Sequence, residues 1–471
     1  MLLYKESSQF IENKSRHGSL QNQIFGMYKH KKLKSNPKHV FALVSSTLKY
    51  LKFIKEIIKK SCLLKVERKS KIPPAVAILL VHDLLFTRSG RIQSRQHPWK
   101  EAVIRNQTRL HAEMTKLKLK LHVQSFDELI EEDKTPIRWF RANTVKGSYE
   151  QIAKEFNELE RVYDIKSIKK GTIYYDQYIP NLFGVDPLEK ITSSAAYKQG
   201  RIIIQDRSSC FPAYILNPKP GVDKVIDACS APGNKTTHLA SILRNTPNSI
   251  IAFEKDDHRV KTLEKMCKMA GALGCIEIRH GDFTQTKPED FTDVTGMLVD
   301  PSCSGSGIFG RAYEDNAQKG RDVEDSNDPY NKTRLEKLSN FQFTIVKHAM
   351  LFPGLRKLVY STCSIYPEED ERVAIRLIED EDLKKRGWKF SPRERVIPDW
   401  PRRGRVEEFK SFDDPERCAG ACVRSLPKVD GGIGFFAVCF ERGPTVGLDL
   451  DTKPKDDVCT WNSKRRLYRL F

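Results

Sequence analysis

Short apolar runs alternate with helical stretches over residues 222–441, and this alternation constrains the fold more than any other feature of the sequence. Runs of this length suit buried strands and are too short for helices. Strands that alternate with helices build parallel sheets covered on both faces. The pattern therefore predicts an α/β fold with a doubly wound, Rossmann-like sheet. Its predicted strands are Val225–Ala228, Ile250–Phe253, Met297–Asp300, Lys357–Tyr360 and Phe435–Val438, the last of which would close the sheet.

The first part of the chain, residues 1–130, is predicted to be mainly helical. Apolar residues recur there at helical spacing over Phe41–Ile58 and again over Ala75–Phe86. Lysine and leucine alternate over Lys116–Leu121, which fits either a strand or the continuation of a helix. The sequence leaves that choice open.

Most of the positive charge lies in this first part. The chain carries a formal net charge of +20, and residues 1–120 hold 26 Lys and Arg against 7 Asp and Glu. A nearly neutral remainder with one strongly basic end is typical of proteins that bind a polyanion. A solvated lysine-rich face is the alternative, but the uneven placement of the charge favours nucleic acid as the partner.

A small α+β module is predicted over residues 136–200, and we expect it to bind RNA together with the basic region. It would contain a strand at Ile137–Thr144, followed by a helix capped by Ser148. The apolar run Arg201–Asp206 is then predicted to be the first strand of the larger domain. The module would therefore end just before that run.

The larger domain is predicted to extend over residues 201–442. Within it, residues 306–337 are rich in Gly, Asn and Asp, a composition that predicts a mobile surface insertion. Residues 443–471 are predicted to be a disordered tail.

The composition also bears on the compartment and on metals. Eleven cysteines in a long chain without a secretory signal favour reduced thiols inside the cell. Cys418 and Cys422 have the spacing CxxxC, but no second ligand pair follows at a suitable distance, so no metal is expected. No apolar run reaches the roughly 20 residues of a membrane span, and no oligomer is indicated. The runs Lys31–Lys34 and Lys464–Arg466 could serve as nuclear or nucleolar address signals.

Polar loops follow the predicted strands at the edge where open α/β sheets bind ligands. The first loop, Asp227–Thr236, would present backbone amides at the start of a helix. Its single Gly233 matches neither the dinucleotide nor the triphosphate loop pattern. Glu254 ends the second strand and is suited to bind ribose hydroxyls, while Asp282 could accept a hydrogen bond from an adenine amino group with Phe283 packed nearby.

Two of these loops each contain a cysteine, in the segments Asp300–Gly307 and Tyr360–Ile365. A lone cysteine is usually a small core residue, but Cys303 and Cys363 lie among Ser, Gly and Asp. A reactive thiolate needs polar and partly positive surroundings. We expect Lys235 and nearby loop amides to provide them.

Three motifs, DACSAPGNKT, DPSCSGSG and YSTCSIYPEE, occur in this order. Together they resemble the Sun-domain family of RNA cytosine-C5 methyltransferases over about residues 136–441. The segments FRANTVK and GRIIIQDRSSCFPA resemble the branch that acts on large-subunit, 25S or 28S, ribosomal RNA. One departure is Ser230, where members of the family commonly have alanine. The resemblance implies a class I methyltransferase sheet, S-adenosyl-L-methionine as the cofactor and RNA as the partner. It also implies a role in ribosome biogenesis and a location in the nucleus, within the nucleolus.

The resemblance also implies a role for each site residue. Cys363 would add to carbon-6 of the target cytosine, Cys303 would be needed to release the covalent product, and Asp300 would hydrogen-bond the base edge. The target base would be turned out of its RNA surroundings before reaction. The cofactor contacts implied by the family are Cys229, Ser230, Ala231, Pro232, Gly233, Asn234, Lys235, Glu254, Arg259, Asp282 and Asp300.

Three alternatives remain at this stage. The chain could be an RNA-binding scaffold of the same fold without catalysis, or a methyltransferase that acts on tRNA. A DNA cytosine methyltransferase would place its nucleophile in the Pro-Cys loop, at Cys303, and would not need Cys363. Separate substitution of the two cysteines distinguishes these possibilities.

Overall fold

The computed structural model describes residues 1–12, 20–129, 136–309 and 329–443. A helical region is followed by a five-stranded sheet and then by an eight-stranded sheet. None of the helices in these residues is both long and apolar enough to span a membrane. The helices are Leu2–Glu12, Leu20–Lys29, Pro37–Lys49, Leu51–Ser61, Leu63–Val66, Pro74–Leu85, Pro98–Arg105, Gln107–Lys120, Tyr149–Lys154, Ala195–Lys198, Phe211–Leu216, Asn234–Ile242, Asp257–Ala270, Pro329–Met350, Glu371–Glu379, Glu381–Lys385 and Pro415–Gly420.

The N-terminal helices pack around a hydrophobic core of their own, which extends in sequence from Tyr4 to Phe126. The helix Pro74–Leu85 is central, because its residues 75–84 are all buried. The helix Leu51–Ser61 buries its isoleucines and turns its lysines outward, as expected for an amphipathic helix. The helical spacing seen in the sequence is thus confirmed.

The open question at Lys116–Leu121 is also answered, because the helix Gln107–Lys120 contains most of this segment. Leu117 is 1% exposed whereas Leu119 is 71% exposed. A strand would have turned both side chains to the same face. The alternation of Lys and Leu therefore belongs to a helix of which only one face is buried.

The smaller sheet has the strand order β2-β3-β4-β1-β5. The predicted strand at Ile137–Thr144 is confirmed as β1, and Ser148 caps the next helix through a capping box with Gln151. Its strands are β1 Arg138–Ala142, β2 Glu160–Val162, β3 Thr172–Tyr175, β4 Leu182–Val185 and β5 Ile202–Ile204.

Strand β5 corrects the sequence analysis. We expected Arg201–Asp206 to begin the larger domain, but β5 pairs with β1 in antiparallel fashion, with Phe140 opposite Ile204. The run therefore completes the smaller sheet, and that sheet extends beyond residue 200. Three consecutive isoleucines suit any strand buried on both faces, so the sequence could not show which sheet they join.

The larger sheet has the strand order β11-β13-β10-β9-β6-β7-β8, and β12 pairs with β13. Its first strand, β6, lies between β7 and β9, so the chain winds outward in both directions and the sheet is doubly wound, as predicted. The strands are β6 Val225–Asp227, β7 Ile250–Glu254, β8 Ile276–His280, β9 Gly296–Val299, β10 Lys357–Thr362, β11 Trp388–Phe390, β12 Cys422–Ser425 and β13 Phe435–Arg442.

One detail of the predicted sheet is wrong. Phe435–Val438 does belong to β13, the last strand of the described residues, but β13 lies between β10 and β11 and does not form the edge. It runs antiparallel to both neighbours. Strands β11 and β12 were not predicted, because each is short and neither is a continuous apolar run.

The expected surface insertion at 306–337 also needs correction at both ends. Residues 310–328 lie outside the described residues, but Gly307 donates its backbone N–H to the carbonyl of Cys363 at 3.0 Å and accepts from Gly434 at 2.8 Å. From Pro329 onward the chain is helical. The flanks of this stretch therefore belong to the fold. Of the predicted tail, only Gly443 is described.

Because the N-terminal helices have their own core, removal of residues 1–129 is expected to leave the two sheets folded. The shortened chain should bind RNA more weakly, since it lacks a segment with 26 basic residues in its first 120 positions. The slope of log affinity against log salt should flatten by about 0.7–0.9 for each RNA phosphate that this segment neutralises. Fluorescence anisotropy over a salt series measures both, and an unchanged slope would contradict a role of this region in RNA binding.

Candidate active site

The site lies where the larger sheet changes its winding direction, between β6 and β9. Loops that follow these two strands diverge at their carboxyl ends and leave a crevice. The loop after β6 leads into the helix Asn234–Ile242, and the loop after β9 carries Cys303. The next parallel strand, β10, carries Cys363 just beyond its end. Every motif from the sequence analysis therefore meets at this edge.

The loop after β6 is held by hydrogen bonds from its own side chains. Ser230 donates its hydroxyl to the carbonyls of Asp227 and Phe253, at 2.9 Å each. Thr236 donates to Oδ2 of Asp227 at 2.8 Å. Gly233 has a φ of +111°, and a Cβ there would meet Met266 at 3.0 Å. The loop thus requires glycine at this point, while Ser230 braces the turn.

Two buried oxygen atoms in this segment have no hydrogen-bond donor within the described residues: Oδ1 of Asp227 and Oδ1 of Asn234. Buried acceptors are normally satisfied, so this pair suits a ligand that brings donors, such as an ammonium group. Desolvation raises the pKa of Asp227 to about 6, against the opposing hydrogen bond from Thr236. The sequence analysis did not single out Asp227, although it is the first residue of the predicted loop Asp227–Thr236.

Glu254 ends β7, as predicted, and its side chain is almost fully buried. One carboxylate oxygen accepts from the backbone of Asp256 at 3.0 Å, and the other lies 3.4 Å from Nη1 of Arg259. Arg259 also donates to the carbonyl of Ala231 at 2.5 Å. Arg259 therefore ties the loop after β6 to the acid at the end of β7, and the structure brings the predicted cofactor residues together.

Asp282 follows β8 and faces Lys255, whose Nζ lies 2.8 Å from its Oδ2. This hydrogen bond lowers the pKa of Asp282, so the side chain is an acceptor at neutral pH. Phe283, the next residue, packs in the core, where its ring is 2% exposed and stacks on Phe352. It belongs to the hydrophobic core on that side of the larger sheet.

The sulfur atoms of Cys303 and Cys363 lie 3.0 Å apart. The hydrogen bond with Cys363 is the largest cause that raises the pKa of Cys303 well above its usual value, and burial adds to it. One thiol must donate to the other, so the pair favours a state in which Cys303 keeps a proton while Cys363 accepts. The predicted pairing of the two loops is thereby realised.

Lys235 and Asp300 connect the cofactor loop with the cysteines. Nζ of Lys235 lies 2.8 Å from Oδ2 of Asp300, whose Oδ1 accepts from Ser361 at 2.6 Å. Burial lowers the pKa of Lys235, but the charge and hydrogen bond of Asp300 and the proximity of Cys363 raise it by more. The net pKa lies above its usual value, so the side chain stays cationic. A cation beside Cys363 is the positive group that the sequence analysis expected from Lys235.

A buried acidic segment behind the cysteine loops was missed. Thr362 donates to Asp370 at 2.6 Å, and Arg424 forms ion pairs with Asp370 and with Glu371. All of these side chains are at most 3% exposed. The available signal was the run of four acids at 368–371, which is separated by five residues from an apolar strand and leads into a helix. Such a run is unusual because buried acids need partners.

Comparisons with known proteins agree with this geometry. A family model described as "16S rRNA methyltransferase RsmB/F" matches residues 213–438, and one described as "NOL1/NOP2/Sun domain family member 5, N-terminal domain" matches residues 38–130. The 25S rRNA (cytosine-C(5))-methyltransferase rcm1 of Schizosaccharomyces pombe is 39% identical over 93% of this chain and 90% of its own length. A 28S rRNA (cytosine-C(5))-methyltransferase of Mus musculus is 32% identical over 92% of this chain and 89% of its own length.

Solved structures support the fold. The crystal structure of PH0851 has a TM-score of 0.56 at 20% identity and covers 89% of this chain and 93% of its own. A methyltransferase homologue from Pyrococcus horikoshii has a TM-score of 0.50 at 24% identity and covers 66% of this chain and 88% of its own. The arrangement of the sheets is thus one already found in crystals.

The buried carboxyl of Asp227 generates a prediction about pH. Its pKa rises from 3.8 in the unfolded chain to about 6 in the folded protein, so folding favours the protonated form. The contribution of this group to stability is therefore complete below about pH 4 and is lost as the pH rises through 6.

Asp227→Asn removes the ionisation and keeps the shape. Relative to this variant, the wild-type free energy of unfolding should fall by up to about 3 kcal/mol between pH 4 and pH 7. Urea unfolding at several pH values measures the difference. Parallel pH profiles for the two proteins would show that Asp227 has no raised pKa.

Proposed function

Because the chain belongs to the Sun-domain family of RNA (cytosine-C5)-methyltransferases, we propose that it forms 5-methylcytosine in large-subunit ribosomal RNA. The methyl donor is S-adenosylmethionine. The observation that carries the proposal is the pair of thiols 3.0 Å apart at the end of β9 and β10, next to the loop after β6. The choice of ribosomal RNA is supported by the names of relatives that align over nine tenths of this chain.

The residues at the crevice fit the cofactor. Glu254 ends β7, where an acid can bind two ribose hydroxyls, and ionised Asp282 can accept from an adenine amino group. The unpartnered oxygens of Asp227 and Asn234 suit the ammonium group of its methionine part. S-adenosylmethionine supplies an electrophilic methyl group on a sulfonium, so no metal ion is needed for the transfer, and we propose that the enzyme works without one.

The two cysteines have unequal tasks in the proposed reaction. The Cys363 thiolate adds to carbon-6 of the cytosine, and the new S–C bond makes carbon-5 nucleophilic enough to take the methyl group. Lys235 favours the thiolate through its nearby charge. Carbon-5 then loses its proton to a solvent base, the C5=C6 double bond re-forms, and the Cys363 thiolate leaves. We propose that protonated Cys303 assists this release by donating a hydrogen bond to the departing sulfur.

Asp300 lies between these groups and is proposed to orient the base. Its carboxylate contacts Lys235 and Ser361, so its position relative to Cys363 is fixed before RNA arrives. Such preorganisation lowers the cost of holding charge on the pyrimidine ring during reaction. The target cytosine must leave its stacked position to reach these side chains.

The alternatives explain less of the site. A scaffold without catalysis would have no use for two adjacent, partly buried thiols beside a charged lysine. A site of the DNA type would use Cys303 alone, yet the hydrogen bond with Cys363 keeps the proton on Cys303. A methyltransferase that acts on tRNA would have the same site chemistry. The proposal of ribosomal RNA as the substrate is supported by the family match over the N-terminal helices and by the ribosomal relatives.

We further propose that the protein acts in the nucleolus during ribosome biogenesis. The lysines of Lys31–Lys34 are exposed on the N-terminal helical region, whereas Lys464–Arg466 lies outside the described residues. Imaging of a tagged chain tests the location, and exclusion from the nucleus would contradict it.

Cys363→Ala is expected to reduce single-turnover methylation of ribosomal RNA by about 10³-fold or more, since the proposed reaction forms the bond to carbon-6 through this thiol. Cys303→Ala should still form that bond but release it slowly, so a protein–RNA band should accumulate on a denaturing gel. Cys418→Ala, a partly buried cysteine outside the site, serves as the control and should behave like wild type. Absence of the covalent band in Cys303→Ala alone would reverse the assigned roles.

A further inference from the structure

Two buried side chains form hydrogen bonds with the backbone on both sides of Cys303. Gln342, on the helix Pro329–Met350, donates through Nε2 to the carbonyl of Ser302 at 3.1 Å. Glu369, after β10, accepts the backbone N–H of Ser304 at 2.8 Å. The same Gln342 amide donates to Oε1 of Glu369 at 3.0 Å, so the two form one unit, here called the Gln342–Glu369 clamp.

Burial of the polar clamp costs free energy, and this cost indicates a role other than stability. Both side chains are fully buried, and Oε2 of Glu369 and Oε1 of Gln342 have no hydrogen-bond donor among the described residues. A buried carboxylate with an unsatisfied oxygen costs free energy relative to an apolar residue of similar shape. Stability alone does not explain why an acid stands here.

We propose that Glu369 and Gln342 are positioning residues that hold the Cys303 loop in register with Cys363 and thereby divide the work of the two cysteines. The inference rests on the proposed function, because it concerns the release step of that reaction. The side-chain hydrogen bonds of both residues shown by the structure are with the Cys303 loop and with each other. They act through the backbone of Ser302 and Ser304, on either side of the reacting thiol.

Electrostatics supports the same assignment. Several effects raise the pKa of Cys303. In decreasing order they are the hydrogen bond with Cys363, burial, and the negative charges of Cys363, Glu369 and Asp300. Tyr360 also faces this cysteine and donates its hydroxyl to the backbone carbonyl of Glu369. The charge of Glu369 therefore helps to keep the proton of the thiol pair on Cys303.

The first test needs neither RNA nor cofactor. Alkylation by iodoacetamide follows the thiolate, so its pH midpoint at Cys303, resolved by peptide mass spectrometry, reports the pKa of that thiol. Glu369→Gln should move the midpoint downward by about one pH unit, because a negative neighbour is removed. Glu368→Gln is the matched control, since Glu368 lies next in sequence but is partly exposed and pairs with Arg372. Equal midpoints in the two variants would overturn the proposal.

The second test measures release. Single-turnover reactions with ribosomal RNA should show that the covalent adduct of Glu369→Gln lives about 10-fold longer than that of wild type or Glu368→Gln. Gln342→Met keeps the charge of Glu369 and removes the bond to Ser302, so it should also prolong the adduct while shifting the alkylation midpoint little. It stands in for Glu369→Gln if that variant fails to fold. Normal adduct lifetimes in the folded variants would overturn the positioning role.

Failure of the proposed function is visible separately. In that case the wild-type protein would form no adduct and transfer no methyl group to ribosomal RNA. The alkylation comparison would still report on the clamp, because it depends only on the protein.

Discussion

The 3.0 Å contact between the sulfur atoms of Cys303 and Cys363 is the interaction on which the rest of the site depends. It requires the loops that follow two different strands to meet at the same level along the edge of the sheet. The parallel pairing of β9 with β10, with Val299 opposite Tyr360, brings this about, because both strands then end at the same edge. Two thiols so close cannot both ionise easily, so the surroundings decide which one keeps the proton.

Those surroundings come from three directions. Lys235, from the cofactor loop, places a positive charge near Cys363 and an ion pair on Asp300. Glu369 and Gln342 approach Cys303 from behind and fix its backbone. The cation therefore favours one thiolate, and the acid disfavours the other. A single arrangement of charges thus separates the tasks of two chemically identical side chains.

The smaller sheet is joined to this arrangement through a buried arginine. Arg141 of β1 donates to Thr237 at 2.7 Å and to the carbonyl of Asn234, at the start of the helix that follows the cofactor loop. Burial lowers its pKa to about 10, so it remains charged near neutral pH. A shift of the smaller sheet would be transmitted to that loop, which links the proposed RNA-binding module to the cofactor crevice.

The sequence predicted those parts of the site that depend on local pattern. Apolar runs located the central strands, and their polar ends located Glu254, Asp300, Cys303 and Cys363. It failed where the outcome depends on distant partners. The three isoleucines of β5 fit either sheet, and the ring of Phe283 fits either the core or a ligand. Gln342 looks like an ordinary helix residue until its helix packs against the Cys303 loop.

The most direct test of the central claim is bisulfite sequencing of large-subunit ribosomal RNA from cells that contain the wild-type chain, no chain, or the Cys363→Ala variant. The site chemistry predicts at least one cytosine that is methylated only with the wild-type chain. The account would be contradicted if no cytosine lost its methylation when the chain is absent. It would also be contradicted if the chain-dependent methylation persisted with the Cys363→Ala variant.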